Sequence, residues 1–251
     1  MCTDSWTECA KSWGFRTHEP EAVVELNLDP SVRRSLADAV TRVLEESVAD
    51  SSAGLRGSLA RGTSDPYSDI DVFWELPDAQ FHDAIDDLSE ILASVGPIES
   101  IRADPLLQNS DKRRLIFVQF ADLPLYWRVD IEVFAASIER DDDYDLDNLD
   151  ARGDRWSLTH SALANGVAAL KSLLRGDPER AHESLRSAYA RINQPIPEGS
   201  ALDQIAELAE IVGGIDLEQA ELVRRLQLHC EAARAAIESK HLAGESKGFT
   251  R

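Results

Sequence analysis

Residues 54–76, "GLRGSLARGTSDPYSDIDVFWEL", place a Gly-Ser pair, Gly57 and Ser58, shortly before two aspartates two positions apart, Asp69 and Asp71. On a β-strand, residues i and i+2 share a face, so these two carboxylates would lie close enough to share a divalent cation. Hard oxygen donors suit Mg²⁺ better than zinc, and Mg²⁺ ordinarily arrives with the phosphates of a substrate. Gly57 lets the backbone approach a ligand closely. Ser58 offers an N–H and a hydroxyl to a phosphate oxygen, best used at the start of a helix. A third carboxylate on a neighbouring strand would complete a two-metal site for in-line phosphoryl displacement. Asp130, in "WRVDIEVF" with Arg128 and Glu132 on the same face, is the natural third.

These residues need a scaffold, and the hydrophobic pattern supplies one. Asp29-Pro30 has the form of a helix cap followed by a first-turn proline. Val32, Leu36, Ala39, Val40, Val43, Leu44 and Val48 then line one helical face. "AGLRGS" is a short strand leading into a turn, and "DIDVFWEL" alternates with period two, so Ile70 and Val72 oppose Asp69 and Asp71. Residues 78–96 predict one amphipathic helix, and "RLIFVQF" and "LYWRVDIEVFA" two further strands. This order predicts an α+β domain built on a mixed sheet. The run from Asp141 to Asp154 is too acidic to bury and is expected to be a linker. Beyond it the pattern is helical and predicts a four-helix bundle. The expected organisation is therefore an accessory segment at 1–28, a catalytic domain at 29–140, an acidic linker at 141–154 and a helical bundle at 155–251.

Composition narrows the partners. The 251 residues carry a formal net charge of −20, and only five of the 26 basic residues are lysines. Such a surface repels phosphate backbones and anionic membranes, so neither long nucleic acid nor a membrane is an expected partner. No apolar run is long enough to span a bilayer. The N-terminus lacks the basic and apolar regions of a secretory signal, so a cytoplasmic location is expected. The three cysteines, Cys2, Cys9 and Cys230, have no metal-ligand spacing.

Taken together, "GSLARG…SDID" and the later "RVDIEVF" resemble the DNA polymerase β nucleotidyltransferase superfamily, and in particular its small bacterial and archaeal antibiotic-type members. The resemblance spans about residues 31–135, and the helical half fits that family's habit of adding a helical domain. It implies that Gly57 and Ser58 form the phosphate turn. Asp69, Asp71 and Asp130 would be the catalytic aspartates and ligands of two Mg²⁺ ions. Asp130 would lie nearest the attacking hydroxyl, oriented by Arg128. One departure is Arg56, where many members carry an aromatic or aliphatic residue before Gly-Ser.

The implied reaction moves a nucleoside monophosphate from a nucleoside triphosphate, expected to be ATP, to a hydroxyl of a small molecule, with loss of pyrophosphate. The acidic surface would favour a cationic acceptor such as an aminoglycoside. Two alternatives stand beside it: a regulatory, antitoxin-like enzyme that adenylylates a protein, and a non-catalytic nucleotide-binding module. Three other residues, Lys171, Arg61 and Ser68, are candidates for the nucleotide. Lys171 stands on an otherwise apolar helix, where similar enzymes place a lysine on the triphosphate; the competing reading is a solvated face. Arg61 either meets a phosphate or caps the short helix after the turn. Ser68 is read chiefly as fixing the start of the strand. Glu132 is either a general base or a carboxylate outside the chemistry, and the second reading is favoured. Trp74, Trp127 and Trp156 are expected to pack rather than stack on a base. Arg155-x4-His160 and Arg224-x4-His229 match the loose spacing of HEPN ribonucleases at a level chance would produce.

Overall fold

A computed structural model describes residues 26–246, with side chains as far as Ile237. The accessory segment expected at 1–28 therefore lies almost wholly outside the described residues. The chain divides into two compact units, one of which includes Asn27–Trp156 and the other Ser157 onward.

The first unit begins with α1 (Pro30–Ser47), capped by the Asp29 carboxylate, which accepts from the Ser31 N–H at 2.8 Å. Its buried face carries Leu36, Val40 and Leu44 at four-residue spacing, all without solvent exposure. Burying each such side chain contributes roughly 2 kcal/mol, enough to fix this helix against the sheet. The strands are β1 (Ser52–Leu55), β2 (Ile70–Leu76), β3 (Ile98–Ala103), β4 (Arg113–Phe120) and β5 (Val129–Ala135), arranged in the order β1-β2-β5-β4-β3. Only β2 and β5 run parallel. The sheet is therefore mixed, as the sequence predicts. Strand alternation sorts its two faces. Ile70, Val72 and Trp74 of β2 and Val129, Ile131 and Val133 of β5 are buried, while Asp71 and Asp130 point the other way.

Between β2 and β3 the single helix expected over 78–96 is broken. A 3₁₀ turn (Asp78–Gln80) leads into α3 (Phe81–Asp86) and α4 (Leu88–Ala93), with Asp87 between them. Asp83, Asp86, Asp87 and Glu90 crowd like charges onto neighbouring turns, and aspartate is a weak helix former. The buried side chains Phe81, Ala84, Leu88 and Leu92 still anchor both pieces.

The acidic stretch 141–154, expected to be a linker, is hydrogen-bonded to the sheet unit. Asp142 pairs with Arg56 at 2.7 Å and the Tyr144 carbonyl accepts from Arg113 at 3.3 Å. Asp145 accepts from Ser110 at 2.5 Å, and the Gly153 N–H donates to the Pro105 carbonyl at 2.9 Å. Of these contacts, the one between Asp142 and Arg56 pairs opposite charges.

The second unit holds α5 (Leu158–Leu174), α6 (Pro178–Arg191), α7 (Ala201–Ile215) and α8 (Ala220–Ser246). Ser157 and Asp177 cap α5 and α6, and Ser200 with Asp203 forms a capping box on α7. Leu163, Leu170, Leu185, Ile205, Leu208 and Leu226 are fully buried. Gly166 lets α5 approach Leu208 and Leu226, where a Cβ would meet both at 3.1 Å.

Candidate functional site

The site is assembled by backbone pairing before any side chain is considered. In the parallel β2–β5 pair Asp71 stands opposite Asp130, which sets the two carboxylates side by side on one face. The Ile70 N–H donates to the Arg128 carbonyl at 2.9 Å, extending the ladder to Asp69 just before the strand. From the other side, the Arg56 N–H donates to the Asp71 carbonyl at 2.8 Å. That bond holds the Gly-Ser turn against β2.

The turn opens α2 (Gly57–Arg61), a single helical turn closed by Gly62 in the left-handed region. Gly57 has φ +57°, and a Cβ there would fall on the Asp71 carboxylate. Glycine is therefore required twice over, by backbone conformation and by space. The Ser58 hydroxyl has no protein hydrogen-bond partner among the described residues, and Arg61, exposed in the last turn, has none either.

Electrostatics ties the three aspartates together. Burial raises the Asp130 pKa, the Arg128 cation opposes that, and Asp69 and Asp71 raise it further. Arg128 holds both Asp130 oxygens, Nε to Oδ1 and Nη2 to Oδ2, each at 2.6 Å. Burial alone would lower the Arg128 pKa, but the three aspartates reverse that and hold it above its ordinary value. Among the described residues, no three carboxylate, histidine or cysteine side chains converge on a common metal-sized point. The donor set nonetheless fits a hard cation: all its ligating atoms are carboxylate oxygens, and the absence of a side chain at Gly57 lets the turn backbone lie directly against the Asp71 carboxylate. Each Asp130 oxygen accepts one Arg128 N–H and keeps a further lone pair, so the carboxylate can hold Arg128 and a cation together.

Other expected residues are placed as follows. Ser68 is buried; its hydroxyl accepts from the Asp65 N–H and donates to the Asp65 carboxylate, both at 3.0 Å. Arg33, on the buried face of α1, binds the Asp65 carbonyl and, at 3.1 Å, the Ser64 hydroxyl. Together they shape the loop that delivers Asp69. Glu132 is clamped between Arg56 and Arg113, the latter at 2.6 Å. Arg56, the departure before Gly-Ser, is thus tied to β5 and to Asp142 rather than left free. Trp74 and Trp127 are buried, and the Trp127 indole donates to the Pro66 carbonyl at 2.9 Å. Lys171 belongs to the helical unit, buried on α5 beside Leu170 and Ser172. Of the HEPN-like pairs, Arg224 is engaged by Glu221 at 2.5 Å and His229 is buried.

Arg102 on β3 was not singled out from the sequence. Its strand, "IESIRA", is half-buried at every position and so shows no alternation. Burial pushes its guanidinium pKa down, to about 10, with Arg128 adding to the effect and Asp130 opposing it. A cavity of about 440 Å³ lies between the end of α1 and the α3–α4 pair, lined by residues such as Ser47, Asp83, Asp87 and Glu90; none of the three aspartates lines it.

Residues 36–142 match the family described as Nucleotidyltransferase domain, a span that takes in Gly57, Ser58, Asp69, Asp71 and Asp130. No curated protein matches the chain. Among solved structures, that of a cytoplasmic RNA terminal U-transferase aligns with 14% identity and a TM-score of 0.30, over 80% of this chain and 49% of that one. The present chain thus spans about half the length of that protein.

Proposed function

We propose that this protein, whose residues 36–142 match the family described as Nucleotidyltransferase domain, transfers a nucleoside monophosphate, from ATP, to a hydroxyl of a small molecule, releasing pyrophosphate. The observation that carries the reading is the juxtaposition of Asp71 and Asp130 on adjacent parallel strands, with the Gly57–Ser58 turn packed against Asp71.

The roles follow from position. The α2 turn, with the free Ser58 hydroxyl and the Arg61 guanidinium nearby, receives the triphosphate. Ser68 acts through the loop that presents Asp69. Asp69, Asp71 and Asp130 would hold two Mg²⁺ ions, which when bound neutralise the phosphates and acidify the acceptor hydroxyl. Asp130 stands on the side of the pair away from the turn, so it receives the acceptor hydroxyl and orients it in line with the leaving pyrophosphate. Arg128 keeps the Asp130 carboxylate in one orientation. Glu132 is committed to Arg56 and Arg113 and serves the scaffold.

The test incubates the protein with α-labelled ATP, Mg²⁺ and a whole-cell extract, beside an Asp69→Asn, Asp71→Asn variant. The expected result is label in a small-molecule fraction, with equimolar pyrophosphate, and neither in the variant. Label on a protein band would replace this reading with the regulatory one. ATP that binds without turning over would leave the non-catalytic alternative.

A further inference from the structure

One register position crosses four strands on the aspartate-bearing face. Asp71 of β2 pairs with Asp130 of β5, Asp130 with Phe117 of β4, and Phe117 with Arg102 of β3. The Gly57 turn lies against the Asp71 end of this row. Arg102 stands at the other end, two strand spacings or roughly 10 Å beyond Asp130.

The guanidinium of Arg102 is poorly satisfied. Its Nε and Nη1 are buried and make no hydrogen bond. It has no ion-pair partner among the described residues, in a chain with 46 acidic side chains. Its contacts are ring faces: Trp156 at 5.1 Å and Phe117 at 5.9 Å to the centroids. Stacking uses the flat face of the fork and leaves the in-plane N–H donors unspent. If packing were the only requirement, an aliphatic side chain would fill the same place without burying unpartnered donors, which are costly. Neighbouring Arg128 does not relieve this, since its charge opposes that of Arg102.

We propose that Arg102 binds an oxyanion of the acceptor, so that the acceptor is a small hydroxyl compound carrying a phosphate or carboxylate some distance from the reacting hydroxyl. The assignment rests on the nucleotidyltransferase reading for the word acceptor. The anion site itself rests on Arg102 alone. The nucleotide is excluded as the source of this anion by the row: its triphosphate belongs at the turn, three strand spacings from Arg102. The whole-chain charge of −20 argued for a cationic acceptor, but the local donors on this face argue for the opposite, and it is the local group that touches the ligand.

The test uses sulfate as the oxyanion probe and reads the melting transition against sodium chloride at equal ionic strength, with Mg²⁺ and a non-hydrolysable ATP analogue present. Wild type, the Asp69→Asn, Asp71→Asn variant, Arg102→Gln and Arg102→Lys are compared, each first shown to be folded by circular dichroism. Sulfate is expected to stabilise the wild type and the aspartate variant. Arg102→Gln is expected to weaken sulfate about 10–100-fold, the usual worth of a charge-assisted contact, and to leave the affinity for the analogue unchanged. Arg102→Lys should keep part of the sulfate effect. A wild type that ignores sulfate, or an equal response in Arg102→Gln, overturns the proposal. So does a matching loss of analogue affinity in Arg102→Gln, because the anion bound there would then be the nucleotide's. Failure of the nucleotidyltransferase reading shows separately, as analogue binding that is absent or indifferent to Asp69 and Asp71.

Discussion

Gly57 is the residue on which the geometry is least tolerant. Its φ of +57° lies in the left-handed region, and the space its side chain would take is filled by the Asp71 carboxylate. Gly57→Ala therefore strains the backbone and displaces a group at the centre of the site. A cost of about 1–3 kcal/mol in folding stability is expected, measurable by urea unfolding. The activity should fall further than stability explains, by about 100-fold or more in kcat/KM, because a displacement near 1 Å at reacting groups has that effect. A variant as active as wild type would show that Asp71 is not where the chemistry happens. Arg128 and Glu132 illustrate how neighbouring residues on one strand divide their work. Asp130 between them meets a single arginine and keeps the site face, whereas Glu132 meets two and is committed.

Helix α8 carries a group whose titration matters to folding. His229 is buried, with Nδ1 against the Arg225 carbonyl at 2.8 Å. Burial lowers its pKa, the backbone hydrogen bond opposes this and the Arg225 charge adds to it, leaving it at about 4. An unfolded histidine takes up its proton near pH 6.5. Between those values the folded chain binds fewer protons, so stability present above pH 6.5 is lost as the pH falls towards 4. The full effect is about 3 kcal/mol. Urea unfolding followed by helical circular dichroism should show this slope in the wild type, and His229→Leu should flatten it by that amount. An identical slope in both proteins would mean that other groups drive the acid response. The same scale shows what the sequence could and could not disclose. β2 and β5 alternate cleanly because one face is buried and the other carries charge, so Asp71 and Asp130 could be placed from spacing alone. β3 has no such contrast, its residues being half-buried throughout, and Arg102 was missed with it. The break at Asp87 was missed because Phe81, Leu88 and Leu92 keep a helical spacing across it. The apposition of Gly57 and Asp71 was foreseeable only in outline, since the contact depends on tertiary pairing between β2 and the turn.

For the molecule as a whole, the charge of −20 has to be reconciled with anionic ligands. No helix among the described residues is long and apolar enough to cross a membrane. On the proposed reading, a triphosphate approaching from a distance would meet net repulsion, while at contact it would meet Ser58, Arg61 and any cations held by the aspartates. The two regimes respond differently to salt. The screening length falls from about 30 Å at 0.01 M to about 8 Å at 0.15 M, which removes the long-range repulsion but scarcely touches contacts made in the site. Stopped-flow binding of the Mg²⁺-bound ATP analogue should therefore show an association rate that rises several-fold over this range. The dissociation rate should stay nearly flat. The folded state should gain stability over the same range as self-repulsion is screened. An association rate that falls with salt would mean that the local cationic groups, and not the acidic surface, govern the approach. In that case the whole-chain charge would carry no information about which ligands the protein accepts, and Arg102 would remain the only guide to the acceptor's sign.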